Sequence, residues 1–321
     1  MPYVTRDDGV KIYWEDVGSP EGLRYEISAT GDETAATQVA QAFRRPDEPE
    51  VAQAFRPAQA ATQVAQAFRP ADERPALLLI MGLGATLEWW QRLIPVLSPR
   101  YRTIVYDNRG VGRSDVPPGP YPIPAMADDA AAVMDAAGIA SAHVFGASMG
   151  GMIAQELALN HPARVRSLIL GCTACGGRQS VPASKEVAAA LGARSTMTRE
   201  EAMWLMAPHI FDAGTPRERV AEDIAVRLKA TVSNDGYFAQ LAGIRAWRGT
   251  HDRLGGIAMP TLVIHGETDE LVPPENGRII AAAIPGARLV MIPHASHIFF
   301  TDQLEATSGA LLSFLAAQAP A

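Results

Sequence analysis

Cysteine is nearly absent: the 321 residues contain only Cys172 and Cys175. A zinc site would need a second ligand pair at suitable spacing, and a redox Cys-x-x-Cys would open a helix in a small domain. Here the pair follows "VRSLILG" and runs into Gly176 and Gly177, so both cysteines read as ordinary small loop residues. No block of Lys and Arg occurs, and the formal net charge is −7. Such a chain has nothing with which to displace counterions from phosphates, which excludes a nucleic-acid surface. No apolar run approaches the roughly 18 residues of a membrane span. The start, "MPYVTRDDGVKIYWEDVG", lacks the basic opening and apolar stretch of a signal peptide, so the expected location is the cytoplasm.

What is present is apolar residue content of 48%, enough for one large core with insertions. Short apolar runs alternate with helical patterns: "ALLLIM" (76 to 81), "RTIVYD" (102 to 107), "AHVFGA" (142 to 147), "SLILG" (167 to 171), "TLVIHG" (261 to 266) and "RLVMIP" (288 to 293). Being apolar throughout, they suit strands buried on both faces of a parallel sheet. Helices are expected at about 89 to 98, 123 to 137, 149 to 160, 276 to 284 and 302 to 317. Asp8-Gly9 between two alternating stretches predicts an antiparallel hairpin at the start. The fold class is α/β: a mostly parallel sheet of about eight strands, flanked by helices, with an inserted helical cap.

The core is expected over residues 1–22, 75–177 and 257–321. Residues 178–256 hold amphipathic helices and no convincing strand, with Thr198 and Thr215 as expected N-caps, and form the cap. Residues 23–74 carry a repeat, "TQVAQAFR" at 37, "EVAQAFRPA" at 50 and "TQVAQAFRPA" at 62. Each copy supports about two helical turns before proline ends it, too short to stand alone or to match a solenoid unit. Its Ala/Gln/Pro-rich composition reads as a flexible surface insertion. The alternative is a helical arm docking on the cap, or on a second subunit to build a homo-oligomer, through Val39, Phe43, Phe55, Val64 and Phe68.

The chemistry centres on "AHVFGASMGGMIAQ". An apolar strand turns at Ser148 directly into a helix, and Gly146 and Gly150 let strand and helix approach around a strained, protruding hydroxyl. A serine is a weak nucleophile until a base takes its proton. His297, past the last strand, is the expected base, with His294 as the alternative; Asp269 is the expected orienting acid, with Glu267 as the alternative. An oxyanion needs backbone donors, for which the amides of Met149 and Leu83 are placed, the latter in "GLGAT". Trp89 and Trp90 are candidates to line an acyl pocket, or else core. Asp107 and Arg109 read as structural.

The order Ser148, Asp269, His297, together with "LLLIMGLGATLEWW", "YDNRGVGRSD", "HGETDELVPPENG" and "HASHIFF", resembles the α/β-hydrolase superfamily, in its cap-bearing group of esterases and enol-lactonases. The likeness spans residues 1 to 22 and 75 to 321. It departs at Met81-Gly82, where many relatives have His-Gly, and at Ser296, where they usually have Gly. The resemblance implies a serine carboxylesterase acting on small to medium esters through an acyl-enzyme, with no metal or organic cofactor and a small-molecule ester as partner. Its rivals are an enol-lactonase, a carbon-carbon bond hydrolase, a cofactor-free perhydrolase and a non-catalytic ligand-binding protein. Dehalogenases and epoxide hydrolases of this fold place a carboxylate where Ser148 stands.

Joining Gly22 to Pro75 by a short turn is expected to leave a soluble, active monomer. Size-exclusion chromatography and thermal melting check this; loss of a dimer or of stability would favour the docking arm.

Overall fold

A computed structural model describes residues 2–17, 72 and 74–318. The repeat-bearing insertion, and with it the readings of Phe43, Phe55 and Phe68, lies outside the described residues. Residues 1–19 and 74–321 form one unit, and 20–73 another.

The hairpin forms as expected. Strands β1 (Tyr3–Thr5) and β2 (Lys11–Val17) pair antiparallel, and Gly9 takes the left-handed φ of 82° that the turn requires. The six apolar runs become β3 (Ala76–Ile80), β4 (Arg102–Tyr106), β5 (Ala142–Ala147), β6 (Val165–Gly171), β7 (Thr261–Gly266) and β8 (Arg288–Ile292). The sheet order is β1-β2-β4-β3-β5-β6-β7-β8, antiparallel at β1/β2 and β2/β4 and parallel elsewhere.

From β3 the chain steps outward to β4, then returns across β3 to β5. Loops leaving β3 and β5 therefore diverge, and the crevice between them at the carboxyl ends of the strands is where such sheets bind ligands. Residues 82–85 and Ser148 occupy those two loops.

Alternate side chains along each central strand feed two cores. Leu78, Ile80, Val144 and Leu168 pack with helices α1 (Ile123–Ala136), α2 (Met149–Asn160) and, further along the chain, residues of 275–283; Leu77, Leu79, Phe145 and Ile169 pack with Trp90, Phe300, Leu311 and Phe314. Both faces of β5 are thus buried. At β8 the expectation of burial on both faces fails, because it is the sheet edge and its middle residues are only half covered. The single helix expected at 89 to 98 is instead a 3-10 turn, Leu87–Trp90, then a short helix, Ile94–Leu97. Pro95 is the reason, since its ring excludes a helix running through it from the preceding turn.

Between β6 and β7 lie α3 (Lys185–Gly192), α4 (Arg199–Ile210), α5 (Arg217–Lys229) and α6 (Asn234–Ala246). Thr198 caps α4 in a reciprocal capping box with Glu201. Thr215 does not cap α5: Pro216 holds that position, and the Thr215 hydroxyl donates to Asp302 Oδ1 at 2.6 Å. The sheet is completed by α7 (Glu275–Ala283) and α8 (Leu304–Ala316). Among the described residues no helix is long and apolar enough to cross a membrane.

Trp90 is fully enclosed, its ring 5.0 Å from Phe145 and 5.7 Å from Phe300. Trp90→Ala is expected to cost about 3–5 kcal/mol of folding stability, read as a lower urea midpoint at an unchanged slope.

Candidate active site

Ser148 adopts φ 59°, ψ −124°, a conformation that costs a non-glycine residue of order 1–3 kcal/mol and persists only where the surroundings impose it. They do so by backbone contact. A Cβ at Gly146 would lie 2.2 Å from the Gly150 carbonyl oxygen, and one at Gly150 would lie 2.0 Å from that of Ile80. Only glycines allow α2 to press against β5 and β3 at once. The bend is then fixed by hydrogen bonds from Ser148 N to the Gly171 carbonyl (2.9 Å) and from the Thr173 hydroxyl to the Ser148 carbonyl (2.7 Å).

Asp269 is buried in the loop after β7 and uses both oxygens. Oδ1 accepts from the amides of Leu271 (2.9 Å) and Val272 (2.8 Å), while Oδ2 lies 2.8 Å from His297 Nδ1. Burial alone would raise this carboxyl, but the charge of His297 and hydrogen bonds to His265 and His297 outweigh it and hold Asp269 below its ordinary value. His297 mirrors this. Burial pulls the imidazole down, yet the Asp269 charge, the neighbouring Cys172 sulfur and hydrogen bonds to both hold it well above the usual histidine value. His294, at φ 53°, is exposed and offers its carbonyl to Gln303; Glu267 is exposed as well.

Ser148 and His297 line one cavity of about 540 Å³. No hydrogen bond joins them among the described residues, a looseness common before substrate binds. Leu83 and Met149 share that wall. The turn carrying Leu83 is pinned from two sides: Asn108 Nδ2 donates to the Met81 carbonyl at 2.8 Å, and the Gly84 amide donates to Gln240 Oε1 at 2.8 Å. Trp89 lines the cavity, whereas Trp90 does not and belongs to the core.

Asp107 and Arg109 are structural. Asp107 accepts from the amides of Leu87 and Arg113, burial raising its carboxyl to about 6, and Arg109 binds Asp129 through two nitrogens at 2.6 and 2.7 Å.

Four residues at the site escaped sequence reasoning. His265 places Nε2 2.8 Å from the Val272 carbonyl and 3.2 Å from Asp269 Oδ2, bracing the acid's loop; a histidine inside an apolar strand four residues before the acid was the available signal. Gln240 joins the Gly84 amide to the Arg109 carbonyl. Arg227 lines the cavity. Cys172, read as an ordinary loop residue, also lines it, as does His297, because β6 ends beside the serine.

A family model described as alpha/beta hydrolase fold matches residues 75–304. The chain is 32% identical over 242 residues to the poly(3-hydroxyalkanoate) depolymerase of Ectopseudomonas oleovorans, covering 74% of this chain and 83% of that one. It is 31% identical over 241 residues to 3-oxoadipate enol-lactonase 2 of Acinetobacter baylyi, covering 74% and 88%. Among solved structures it is similar to a thermophilic esterase from Thermogutta terrifontis, 28% identical, with TM-score 0.67 and coverage of 76% and 90%.

The His297 imidazole is expected to titrate above its unperturbed value of about 6.5, followed by NMR of its ring nitrogens. A raised folded pKa adds stability that is full below about pH 6.5 and is lost as pH rises through the folded value. Asp269→Asn removes the neighbouring charge, leaving burial to pull the midpoint down; an unmoved midpoint would refute the pairing.

Proposed function

The chain belongs to the α/β-hydrolase family and is a hydrolase; from that premise we propose that it is a serine carboxylesterase acting on small to medium esters. The observation that carries this reading is a buried Asp269–His297 pair opening onto the same apolar cavity as a strained serine hydroxyl.

In this mechanism Ser148 Oγ attacks the ester carbonyl while His297 Nε2 takes its proton. Asp269, bonded to Nδ1, fixes the ring so that Nε2 is the working nitrogen, and stabilises the imidazolium as it forms. The negative charge developing on the carbonyl oxygen meets the amides of Met149, at the start of α2, and Leu83, in the pinned turn. His297 then passes the proton to the departing alcohol, leaving an acyl group on Ser148. Water enters, His297 deprotonates it, and the same amides hold the second oxyanion until the acid leaves. The cavity falls within the usual size range of small-molecule sites, which suits short and medium acyl chains.

On this reading the core carrying this machinery spans 1–22, 75–177 and 257–321, of which 1, 18–22 and 319–321 lie outside the described residues, and 178–256 is the cap. The esterase among the similar structures supports the ester reading, and the carboxylate-free elbow supports an acyl-serine intermediate.

The test is hydrolysis of p-nitrophenyl esters from acetate to palmitate, beside Ser148→Ala. Turnover is expected to peak at short to medium chains and to fall at least about 10⁴-fold in the variant. Undiminished turnover in Ser148→Ala would sink the mechanism. Silence on every ester, with turnover of an enol-lactone or a diketone, would move the substrate class instead.

A further inference from the structure

In the turn after β3 the Gly84 amide donates to Gln240 Oε1 at 2.8 Å, and the Ala85 amide donates back to the Gly82 carbonyl at 3.3 Å. The amides of Leu83 and Met149 donate to nothing among the described residues. Both residues line the cavity, so these are the donors left for a ligand there. The direction of the Leu83 amide is then set by whatever holds its neighbours.

One short stretch after β4 holds both of them. Asn108 Nδ2 donates directly to the Met81 carbonyl at 2.8 Å. Arg109, the next residue, acts through Gln240: its carbonyl accepts from Gln240 Nε2 at 2.8 Å, while Gln240 Oε1 accepts from Gly84. The Arg109 guanidinium is itself fastened to Asp129, which fixes the place of that carbonyl. Residues 81 and 84 are thus clamped on either side of Leu83. The carboxamide of Gln240 has one possible orientation, because a carbonyl can only accept and an amide can only donate.

Gln240 reaches the turn from α6, and that helix is pressed to the core by backbone contact. A Cβ at Gly236 would lie 1.9 Å from the Gly110 carbonyl oxygen, and one at Gly243 would lie 1.8 Å from that of Tyr121. Between them the Ala239 carbonyl accepts from the Tyr121 amide at 3.1 Å. These contacts, about one turn to each side, leave the Gln240 side chain fully buried with both polar atoms satisfied. An apolar side chain would fill the same space, but it would leave the Gly84 amide and the Arg109 carbonyl without partners and the turn held at one end only.

We propose that Gln240 is a positioning residue for the reaction: touching no reacting atom, it holds Gly84 so that the Leu83 amide faces the oxygen on which negative charge develops. This deepens the serine esterase reading and rests on it. A residue needed only for folding would change stability without favouring the transition state over the substrate. The positioning role does favour it, since the amide matters most once the carbonyl oxygen becomes an oxyanion.

The experiment measures Gln240→Met, similar in length but unable to bridge the two partners, on p-nitrophenyl butyrate and against two inhibitors. Pentyl trifluoromethyl ketone takes a bond from Ser148 Oγ at its carbonyl carbon while His297 accepts the hydroxyl proton, which leaves an oxyanion; pentyl methyl ketone only fills the cavity. In the variant kcat is expected to fall about 10- to 100-fold with KM within about twofold, and the trifluoromethyl ketone to bind more weakly by a similar factor, with the methyl ketone unchanged. Wild-type kcat in the folded variant overturns the proposal, and so does a loss confined to KM or shared equally by the two ketones. Should Gln240→Met not fold, Gln240→Asn, a methylene too short to serve both partners, is read in the same way with the same outcomes. An ester that the wild-type protein leaves intact counts against the esterase reading alone, because the comparison of the two ketones still tests the turn.

Discussion

Backbone pressed against backbone is the constraint on which the site depends. Helix α2 sits so close to β3 and β5 that no side chain fits at positions 146 and 150, and the strain at Ser148 follows from that closeness. The strain is useful because it aims the hydroxyl away from every local partner. An ordinary serine at a helix start would cap the first turn with its oxygen; here the Ser148 side chain makes no capping bond and stays available to the cavity. The same closeness brings the first amide of α2 alongside the turn after β3. Hydroxyl and amides thus come from one packing event, and loosening it would displace all of them together.

The proposed acid and base, Asp269 and His297, depend on a second constraint, that of buried charge. Asp269 is enclosed, and it remains ionised because two imidazoles and two amides turn toward its oxygens. Each partner is itself fixed. His265 is held by the Val272 carbonyl, and the loop before His297 by Ser296, whose amide donates to Asp302 Oδ2 at 2.8 Å. Asp302 also accepts from the Asp212 amide and the Thr215 hydroxyl, both in the helical segment between β6 and β7. The position of His297 is therefore tied to that helical segment.

Much of this was legible in the sequence, and the limits have physical causes. Strands buried on both faces announce themselves as unbroken apolar runs, which is why β3 to β7 were readable to within about two residues, while the edge strand β8, equally apolar, was misread as enclosed. Ser148, Asp269 and His297 stood out because each follows a strand directly. Trp90 and Trp89 could not be separated, since a 3-10 turn points neighbours in directions that a full helix would not. Gln240 left no trace and Cys172 read as a plain loop residue, because what matters about each comes from what distant segments place beside it.

Arg227 is the instructive failure. On α5 the buried positions are Val220, Asp223, Ile224 and Arg227, a helical stripe with an acid and a base four residues apart on its inner face. Read as a surface pair, the two charges would contribute little. Turned inward, they do opposite things: Asp223 fastens the helix to Arg92 and Thr301, and Arg227 is left with less than it needs beside the cavity. Attachment to the core and a buried cation in the cavity wall thus reside on one helical turn. A movement of α5 that released Asp223 would also pull Arg227 out of the cavity wall, which makes docking of this helix a condition of the cavity's shape.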